Sequence, residues 1–266
     1  MKAALINPDG EKKSMELPAQ FTEELNPDLI KRAVLFEQSI ARQPYGTYER
    51  AGKGYAVTVY KRRRHYRGSY GIGISRAPRK VISRRGSRFN WVGAFAPGTV
   101  GGRRAHPPKT EKVWAKKINR KEYMKALRSA VSATTKKAVV SGRGHAVPQE
   151  YPFVISKSEG IGKTRNMMGF LKKLGLGNEL QRASKTKLRA GKGKMRGRKT
   201  KKKKGPLVVV SGPCPLMKAA RNIPGIDVVE VNNLSAALLA PGTAAGRLTI
   251  FTEEAVSKMK KEALFE

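Results

Sequence analysis

Residues 50–110 contain sixteen lysines and arginines and no aspartate or glutamate. Two like charges about 4 Å apart repel by ~1 kcal/mol in water and by more in a drier setting, so this segment needs an external polyanion to become compact. Aromatic residues are interspersed among the cations: Tyr55, Tyr60, Tyr66, Tyr70, Phe89, Trp91 and Phe95. Guanidinium groups bind phosphate, and nucleobases stack on aromatic rings and on guanidinium planes. The residue types therefore indicate RNA as the partner.

A second stretch, residues 180–205, holds thirteen lysines and arginines and again no acid. The chain of 266 residues carries 56 Lys plus Arg against 19 Asp plus Glu, a net charge of +37. A basic surface that served only solubility would mix the two signs. Lys201 to Lys204 alone could be a solvated tail, but the two regions together favour nucleic-acid binding. We call residues 50–110 the first basic region and residues 180–205 the second.

The cations of these two regions are the candidate RNA ligands. They are Arg62, Arg63, Arg64, Arg67, Arg76, Arg79, Lys80, Arg84, Arg85, Arg88, Arg103 and Arg104 in the first region, and Arg189, Lys192, Lys194, Arg196 and Arg198 in the second. They neutralise phosphates and release counterions. The aromatic side chains of Tyr66, Tyr70, Phe89 and Trp91 either stack on splayed bases or pack on one another, and the sequence leaves both readings open.

Regular elements flank the first basic region. Ala3 to Ile6 and Ser14 to Leu17 read as strands around a turn at residues 7–10. Asn26 and Pro27 start a helix that should stop before Pro44. Periodicity is then lost until about residue 115, which normally argues against a compact domain. The composition explains this loss as an irregular, extended loop, 45–114, that folds on RNA.

Helical spacing returns after the loop, from Asn119 to Thr135 with capping-box-like spacing to Glu122, and again from Thr164 to Leu174. The last third alternates strands with helices. The predicted strands are 207–211, 227–231 and 248–251, the helices are 216–222 and 235–239, and Thr252 caps a final helix. This order predicts a single α/β domain over 1–266, with a mainly parallel sheet covered by helices on both faces.

No catalytic or cofactor motif is complete. Gly160 to Thr164 matches the end of a phosphate-binding loop. That loop also requires a glycine at position 157, where this chain has Lys157. The strand end at Ser211 to Pro215 lacks the dinucleotide fingerprint, and its prolines remove amides. His65, His106 and His145 lack cysteine partners at zinc spacing. We therefore expect no enzyme activity, cofactor, metal or small-molecule substrate.

The single cysteine, Cys214, excludes an intramolecular disulfide framework. Apolar runs fall short of the ~18 residues of a membrane span, and the first ten residues lack the apolar stretch of a signal peptide. These features favour a cytoplasmic protein without membrane contact.

The amino-acid sequence from Arg189 to Arg198 resembles a signature of the family of ribosomal large-subunit protein four, in its archaeal and eukaryotic branch. Further matching stretches occur in the expected order along nearly the whole chain: Arg143 to His145, Pro148 to Pro152, Lys172 to Leu174, Ala220 to Gly225, Leu239 to Gly242, and Ile250 to Glu253. The printed chain runs to Glu266 without the long basic extension of eukaryotic members, which favours the archaeal type.

The resemblance implies a structural protein of the large ribosomal subunit that binds its rRNA and supports subunit assembly. The family's long loop passes through rRNA and lines the nascent-peptide exit tunnel, so neighbouring large-subunit proteins and the nascent peptide are implied partners. The stretch from Arg84 to Arg103 would hold the loop tip. Its candidates are Phe89, Asn90, Trp91 and Gly93, although the family would place smaller or more polar residues at 89–91.

Two other classes remain as alternatives. A free nucleic-acid regulator or chaperone would present an ordered, reusable RNA face, whereas here the charge lies in two extensions. An RNA-modifying enzyme on a doubly wound sheet would need a cofactor loop or a carboxylate pair. If the purified protein sediments with large ribosomal subunits and is not removed by moderate salt, it is a ribosomal protein and neither a free regulator nor an RNA-modifying enzyme.

Overall fold

A computed structural model of the chain describes residues 2–8, 11–57 and 63–265. The chain divides into two compact units, one formed by Met1–Ala41 with Ala115–Glu266 and the other by Arg42–Trp114. The predicted loop, 45–114, lies within the second unit. We refer to the first unit as the α/β domain and to the second as the basic unit.

The α/β domain holds both helices and strands. Its strands are β1 (Lys2–Ile6), β2 (Lys12–Glu16), β5 (Phe153–Ile155), β6 (Thr186–Leu188), β7 (Thr200–Lys202), β8 (Leu207–Val210), β9 (Asp227–Glu230) and β10 (Thr249–Thr252). Its helices are α1 (Pro27–Ile40), α2 (Arg120–Thr135), α3 (Lys137–Gly142), α4 (Thr164–Lys173), α5 (Gly177–Ser184), α6 (Pro215–Arg221), α7 (Ala236–Leu239) and α8 (Glu253–Lys261). The basic unit contributes strands β3 (Arg79–Arg85) and β4 (Arg88–Gly93).

Six strands of the α/β domain form one sheet in the order β2-β1-β5-β10-β8-β9. Only β1 and β2 are antiparallel within it, while the other neighbours are parallel. The parallel pairs need crossovers, and helices supply them. The predicted α/β class with a mainly parallel sheet is therefore confirmed.

Side chains of the central strands alternate between two cores. On β8, Leu207 and Val209 enter one core, and Val208 and Val210 enter the other, as the two-residue period of a strand requires. All four residues are fully buried. The first core also holds apolar residues of α1, α2 and α8, and the second holds those of α4 and α6. Helices thus cover both faces of the sheet, which explains the continuous apolar run of β8.

Two of the three helix caps that the sequence predicts are formed. The Asn26 side chain accepts a hydrogen bond from the Leu29 N–H, and Thr252 accepts one from the Ala255 N–H. At α2 the predicted box does not form, because the Asn119 side chain makes no capping bond and Glu122 instead accepts from Arg32. The helix is held by burial of its apolar face rather than by a capped end.

The basic unit contains an antiparallel hairpin that the sequence did not predict. β3 pairs with β4 around a two-residue loop, Gly86-Ser87, and the pairing shifts register between Val81 and Ser83. Gly86 has φ of 60°, and glycine at the first position is what a type II′ hairpin turn favours. Arginines occupy many strand positions, which hides the apolar alternation that normally marks a hairpin.

Candidate nucleic-acid interface

Cations in the basic unit lie against aromatic rings instead of carboxylates. Lys80 Nζ is 3.8 Å from the centroid of the Tyr55 ring, and the Arg76 guanidinium carbon is 4.3 Å from that of Tyr70. Among the described residues, no ion pair involves positions 42–114. Ring faces attract cations without cancelling their charge, so the unit stays strongly positive while gaining some order.

An aromatic cluster covers one side of the β3–β4 hairpin. Phe89 stacks on Trp91 with centroids 5.3 Å apart, and Tyr66 meets Phe89 edge-on at 5.2 Å. Arg67 and Arg84 lie within 6 Å of the Tyr66 ring, at 5.8 and 5.6 Å. These three rings pack on one another in the structure, and base stacking by them stays a prediction. Tyr70 differs, since its recorded partner is Arg76.

The predicted cations of this region are spread over the hairpin and its flanks. Arg79, Lys80, Arg84 and Arg85 lie on β3, and Arg88 opens β4. Arg63 and Arg64 form an exposed turn, Arg67 and Arg76 precede the hairpin, and Arg103 and Arg104 follow it. Arg62 lies outside the described residues. Of the tip candidates, Phe89, Asn90, Trp91 and Gly93 all belong to β4, whereas the turn itself is Gly86-Ser87.

The second basic region forms a smaller hairpin of different character. β6 pairs antiparallel with β7, and residues 192–196 between them make a 3₁₀ turn. Every residue of both strands is exposed. The predicted ligands Arg189, Lys192, Lys194, Arg196 and Arg198 all lie in the connection between the strands. This stretch contains no aromatic residue, so it offers charge and backbone without stacking surfaces.

A buried ionic network holds the base of this hairpin. The Glu179 carboxylate is fully buried, accepts two hydrogen bonds from the Arg182 guanidinium at 2.6 and 2.7 Å, and lies 2.7 Å from His145 Nδ1. The Ala146 N–H donates to it as well. Burial raises the pKa of Glu179, but the bonds from Arg182, His145 and Ala146 outweigh it and lower that pKa to about 2. Arg182 in turn donates to the Lys204 carbonyl at 2.7 Å.

A second network holds the chain immediately after the hairpin. The fully buried Arg247 guanidinium donates to Gly205 O at 2.9 Å and to the Asp227 carboxylate at 2.6 Å. Lys204 Nζ donates to the same carboxylate at 2.9 Å. Burial raises the pKa of Asp227, but Lys204 and Arg247 outweigh that effect and lower it. Both ends of the second basic region are therefore tied to the domain by charge-assisted hydrogen bonds.

Close backbone packing also fixes the chain where the second basic region ends. The Gly205 N–H donates to Gly225 O at 2.9 Å. Gly225 has φ of 82°, and a Cβ atom there would lie 2.6 Å from the Ala183 Cβ. Only glycine tolerates both the positive φ and the close approach to Ala183, which explains why glycine ends the stretch Ala220 to Gly225.

At the carboxyl ends of β8 and β10, in the position where α/β enzymes bind their ligands, a carboxylate of the chain itself takes up hydrogen-bond donors. The Glu159 carboxylate accepts hydrogen bonds from the Ser211 N–H at 2.8 Å, from the Ser211 hydroxyl at 2.7 Å and from the Thr252 hydroxyl at 2.7 Å. An internal anion thus occupies the donors that a phosphate would need. Glu159 and Gly160 form a turn, and residues 161–163 lead from it directly into α4.

Clusters of metal ligands and membrane-spanning helices are both absent from the part of the chain that the structure describes. No group of three or more His, Cys, Asp and Glu side chains there could hold a metal ion. Within that same part of the chain, every helix is too short or too polar to cross a bilayer.

Comparison with known proteins assigns the family. The model of the ribosomal protein L4/L1 family matches residues 15–262. The chain belongs to this family. The large ribosomal subunit protein uL4 of Nanoarchaeum equitans is 47% identical over 253 residues, covering 95% of this chain and 94% of the relative. That of Archaeoglobus fulgidus is 43% identical over 259 residues, covering 96% and 97%.

As an L4/L1-family member of archaeal type, the protein is a structural component of the large ribosomal subunit and not an enzyme. The resemblance drawn from the sequence is confirmed.

Several residues of the interface were missed by sequence reasoning. His145, Glu179 and Arg182 support the second basic region, and Asp227 and Arg247 do so from the other end. One signal was available, because Glu179 is the last acid before the acid-free stretch. The remaining partners are 20 or more positions apart in sequence and could be paired only by the fold.

Proposed function

We propose that this L4/L1-family protein binds large-subunit rRNA through both basic regions and that its basic unit helps to line the polypeptide exit tunnel. Neighbouring ribosomal proteins and the nascent peptide are its other partners. The second basic region holds an assembled RNA in place, which supports subunit assembly.

One observation carries the RNA-binding proposal. Neither region contains a carboxylate, and most of its described cations are exposed. Among the described cations of the two regions, Arg182 and Lys204 alone form ion pairs, with acids that lie outside the regions. A net charge of +37 concentrated in this way is unfavourable unless phosphates neutralise it. The relatives are named as proteins of the large ribosomal subunit, where the abundant polyanion is rRNA.

A salt titration tests this proposal. If the two regions neutralise about eight phosphates, log affinity for a large-subunit rRNA fragment falls against log salt with a slope of about −6 to −7. Replacing Arg84, Arg85 and Arg88 by Ala should flatten the slope by about 2 to 3 in a filter-binding assay. The matched control replaces Lys31, Arg32 and Lys121, which lie outside both basic regions. Equal slopes for both triple variants would refute the proposed role of the hairpin.

The tunnel proposal rests on the family resemblance and on the separable hairpin. The chain has one cysteine, so a Cys214→Ser background allows a single new thiol to be placed. Ser87→Cys at the β3–β4 turn should crosslink to a stalled nascent peptide in assembled ribosomes, and Thr200→Cys in β7 should not. Crosslinking from Thr200→Cys alone, or from neither position, would show that the hairpin does not reach the tunnel.

A further inference from the structure

The two ends of the basic unit run against each other backbone to backbone. The Thr47 N–H donates to Pro108 O at 3.3 Å. A Cβ atom on Gly52, whose φ is 70°, would lie 2.5 Å from the Arg103 backbone nitrogen. Such proximity is possible only with glycine, so this part of the unit has a defined shape.

An aromatic stack lies where these ends meet. The rings of Tyr45 and Trp114 are nearly parallel, 18° apart, with centroids separated by 5.6 Å. The Arg42 guanidinium carbon is 3.8 Å and Lys112 Nζ is 4.5 Å from the Trp114 ring centroid. The Arg42 guanidinium carbon also lies 5.9 Å from the Tyr45 ring centroid. Tyr45 nevertheless remains 49% exposed, which leaves part of this residue accessible to a further stacking partner.

A cavity of about 550 Å³ opens beside this stack. Tyr45, Trp114 and Pro107 give it apolar walls. Its charged lining consists of three cations, Arg104, Lys109 and Lys112, and one carboxylate, Glu111, so the pocket keeps a positive balance. The volume falls within the range of small-ligand sites, roughly 300 to 1,000 Å³. We call this cavity the Tyr45 pocket. The Trp114 Nε1–H beside it is buried and has no hydrogen-bond partner, a condition that costs about 1–3 kcal/mol until an acceptor is supplied.

We propose that the Tyr45 pocket takes one unstacked base of the bound RNA. The base stacks on the open face of Tyr45 and extends the Tyr45–Trp114 stack, while Arg104, Lys109 and Lys112 contact the phosphates on either side. This inference rests on the proposed RNA binding and adds to it the recognition of a single base at a defined pocket.

Stacking is favoured over simple phosphate binding by the composition of the pocket. A site that bound only a phosphate would need cations but no parallel aromatic rings. A base presents a flat face of the size of a tyrosine ring, and RNA-binding proteins place splayed bases on such rings. Each stacked base contributes about 1–3 kcal/mol to binding.

The test compares two RNA probes of equal charge on the full-length chain. In a Trp91→Phe background Trp114 is the sole tryptophan, because the chain has two. A single-stranded uridine decamer should change Trp114 fluorescence, and an abasic decamer with the same phosphates should not. Tyr45→Leu should weaken binding of the uridine decamer by about 5- to 150-fold, the loss expected for one stacked base. Tyr45→Phe should bind like the parent.

The matched control is Tyr48→Leu, the same change at a tyrosine that is 74% exposed and does not line the pocket. Equal responses to both decamers, or equal losses from Tyr45→Leu and Tyr48→Leu, would overturn the proposal. Uridine monophosphate binding as tightly as the decamer would identify a free-nucleotide site and overturn it too. If only the pocket proposal is wrong, affinity for rRNA still falls with salt along the expected slope. If the protein does not bind RNA at all, that slope is absent.

Discussion

The two basic regions of this protein carry similar charge and manage it in opposite ways. In the first, cations lie over aromatic rings such as Tyr55 and Tyr70, and the described ion pairs of the chain do not involve it. In the second, aromatic residues are missing, the hairpin is exposed, and carboxylates act only at its base through Glu179 and Asp227. One region is ordered by ring packing, and the other is tied to the domain by ion pairs.

The difference teaches how a basic protein can prepare for RNA without neutralising itself. Rings attract cations yet leave their charge and part of their own faces available for a base. Carboxylates would cancel charge if they were placed along the hairpin. At its base, the buried Glu179 and the half-buried Asp227 instead position the chain, and the cations from Lys192 to Arg198 remain exposed. The predictions below test this contrast, beginning with the largest effect.

Removing the buried carboxylate at the base should be the most damaging change. Glu179→Ala leaves Arg182, His145 and the Ala146 N–H without their acceptor in a buried place. Breaking a buried ion pair by deleting one partner costs about 3–5 kcal/mol. We expect a loss of that size in free energy of unfolding by urea titration. Glu16→Ala, an exposed acid on β2, should change it by less than about 0.5 kcal/mol. A loss below about 1 kcal/mol for Glu179→Ala would show that the network does not hold the domain.

Acid should weaken the same contact with a defined sign. The pKa of Glu179 falls from 4.5 to about 2 on folding, so its stabilisation is complete above pH 4.5 and is lost as the pH drops toward 2. That difference corresponds to about 3 kcal/mol. The free energy of unfolding of the parent should therefore fall more steeply over this window than that of Glu179→Gln. Parallel pH profiles for the two proteins would contradict the assignment.

Aromatic and cationic changes should affect RNA binding differently in the two regions. Phe89→Leu with Trp91→Leu removes the stacked pair of β4. It should lower affinity by about 5- to 150-fold at every salt concentration, with the slope unchanged, because stacking does not release counterions. Lys201→Ala with Lys202→Ala should instead flatten the slope by about 1.5, and its cost should vanish in high salt. The contrast between the regions fails if both double variants change the slope equally.

Excising the β3–β4 hairpin should have the smallest effect on the fold. The Ala94 N–H already donates to Pro78 O at 2.8 Å, so deleting Arg79–Gly93 and joining these two residues through two glycines needs little rearrangement. Both cores belong to the α/β domain and keep their residues. We expect the Tm to change by less than about 2 °C in calorimetry. A markedly lower Tm would show that the hairpin contributes to the stability of the domain.

Much of the domain could be predicted because its signals are local. A continuous apolar run predicted β8, and the caps Asn26 and Thr252 predicted the starts of α1 and α8. By contrast β5, only Phe153–Ile155, is too short to show a period and becomes a strand because β1 and β10 flank it. The stretch 137–142 and helix α5 were also missed, since α5 is largely polar and partly basic.

For the interface, the sequence by itself determined where the charge lies, that acids are excluded from it, and that RNA chemistry suits it. Only the tertiary structure decided that Phe89 and Trp91 stack on each other, that Tyr45 meets Trp114, and that Arg247 joins Asp227 beneath the second basic region. The physical reason is how far apart along the chain the interacting residues lie. Charge and backbone preference are properties of neighbouring residues, whereas stacking and buried ion pairing depend on which distant segments share a desolvated space, and packing of the whole chain decides that.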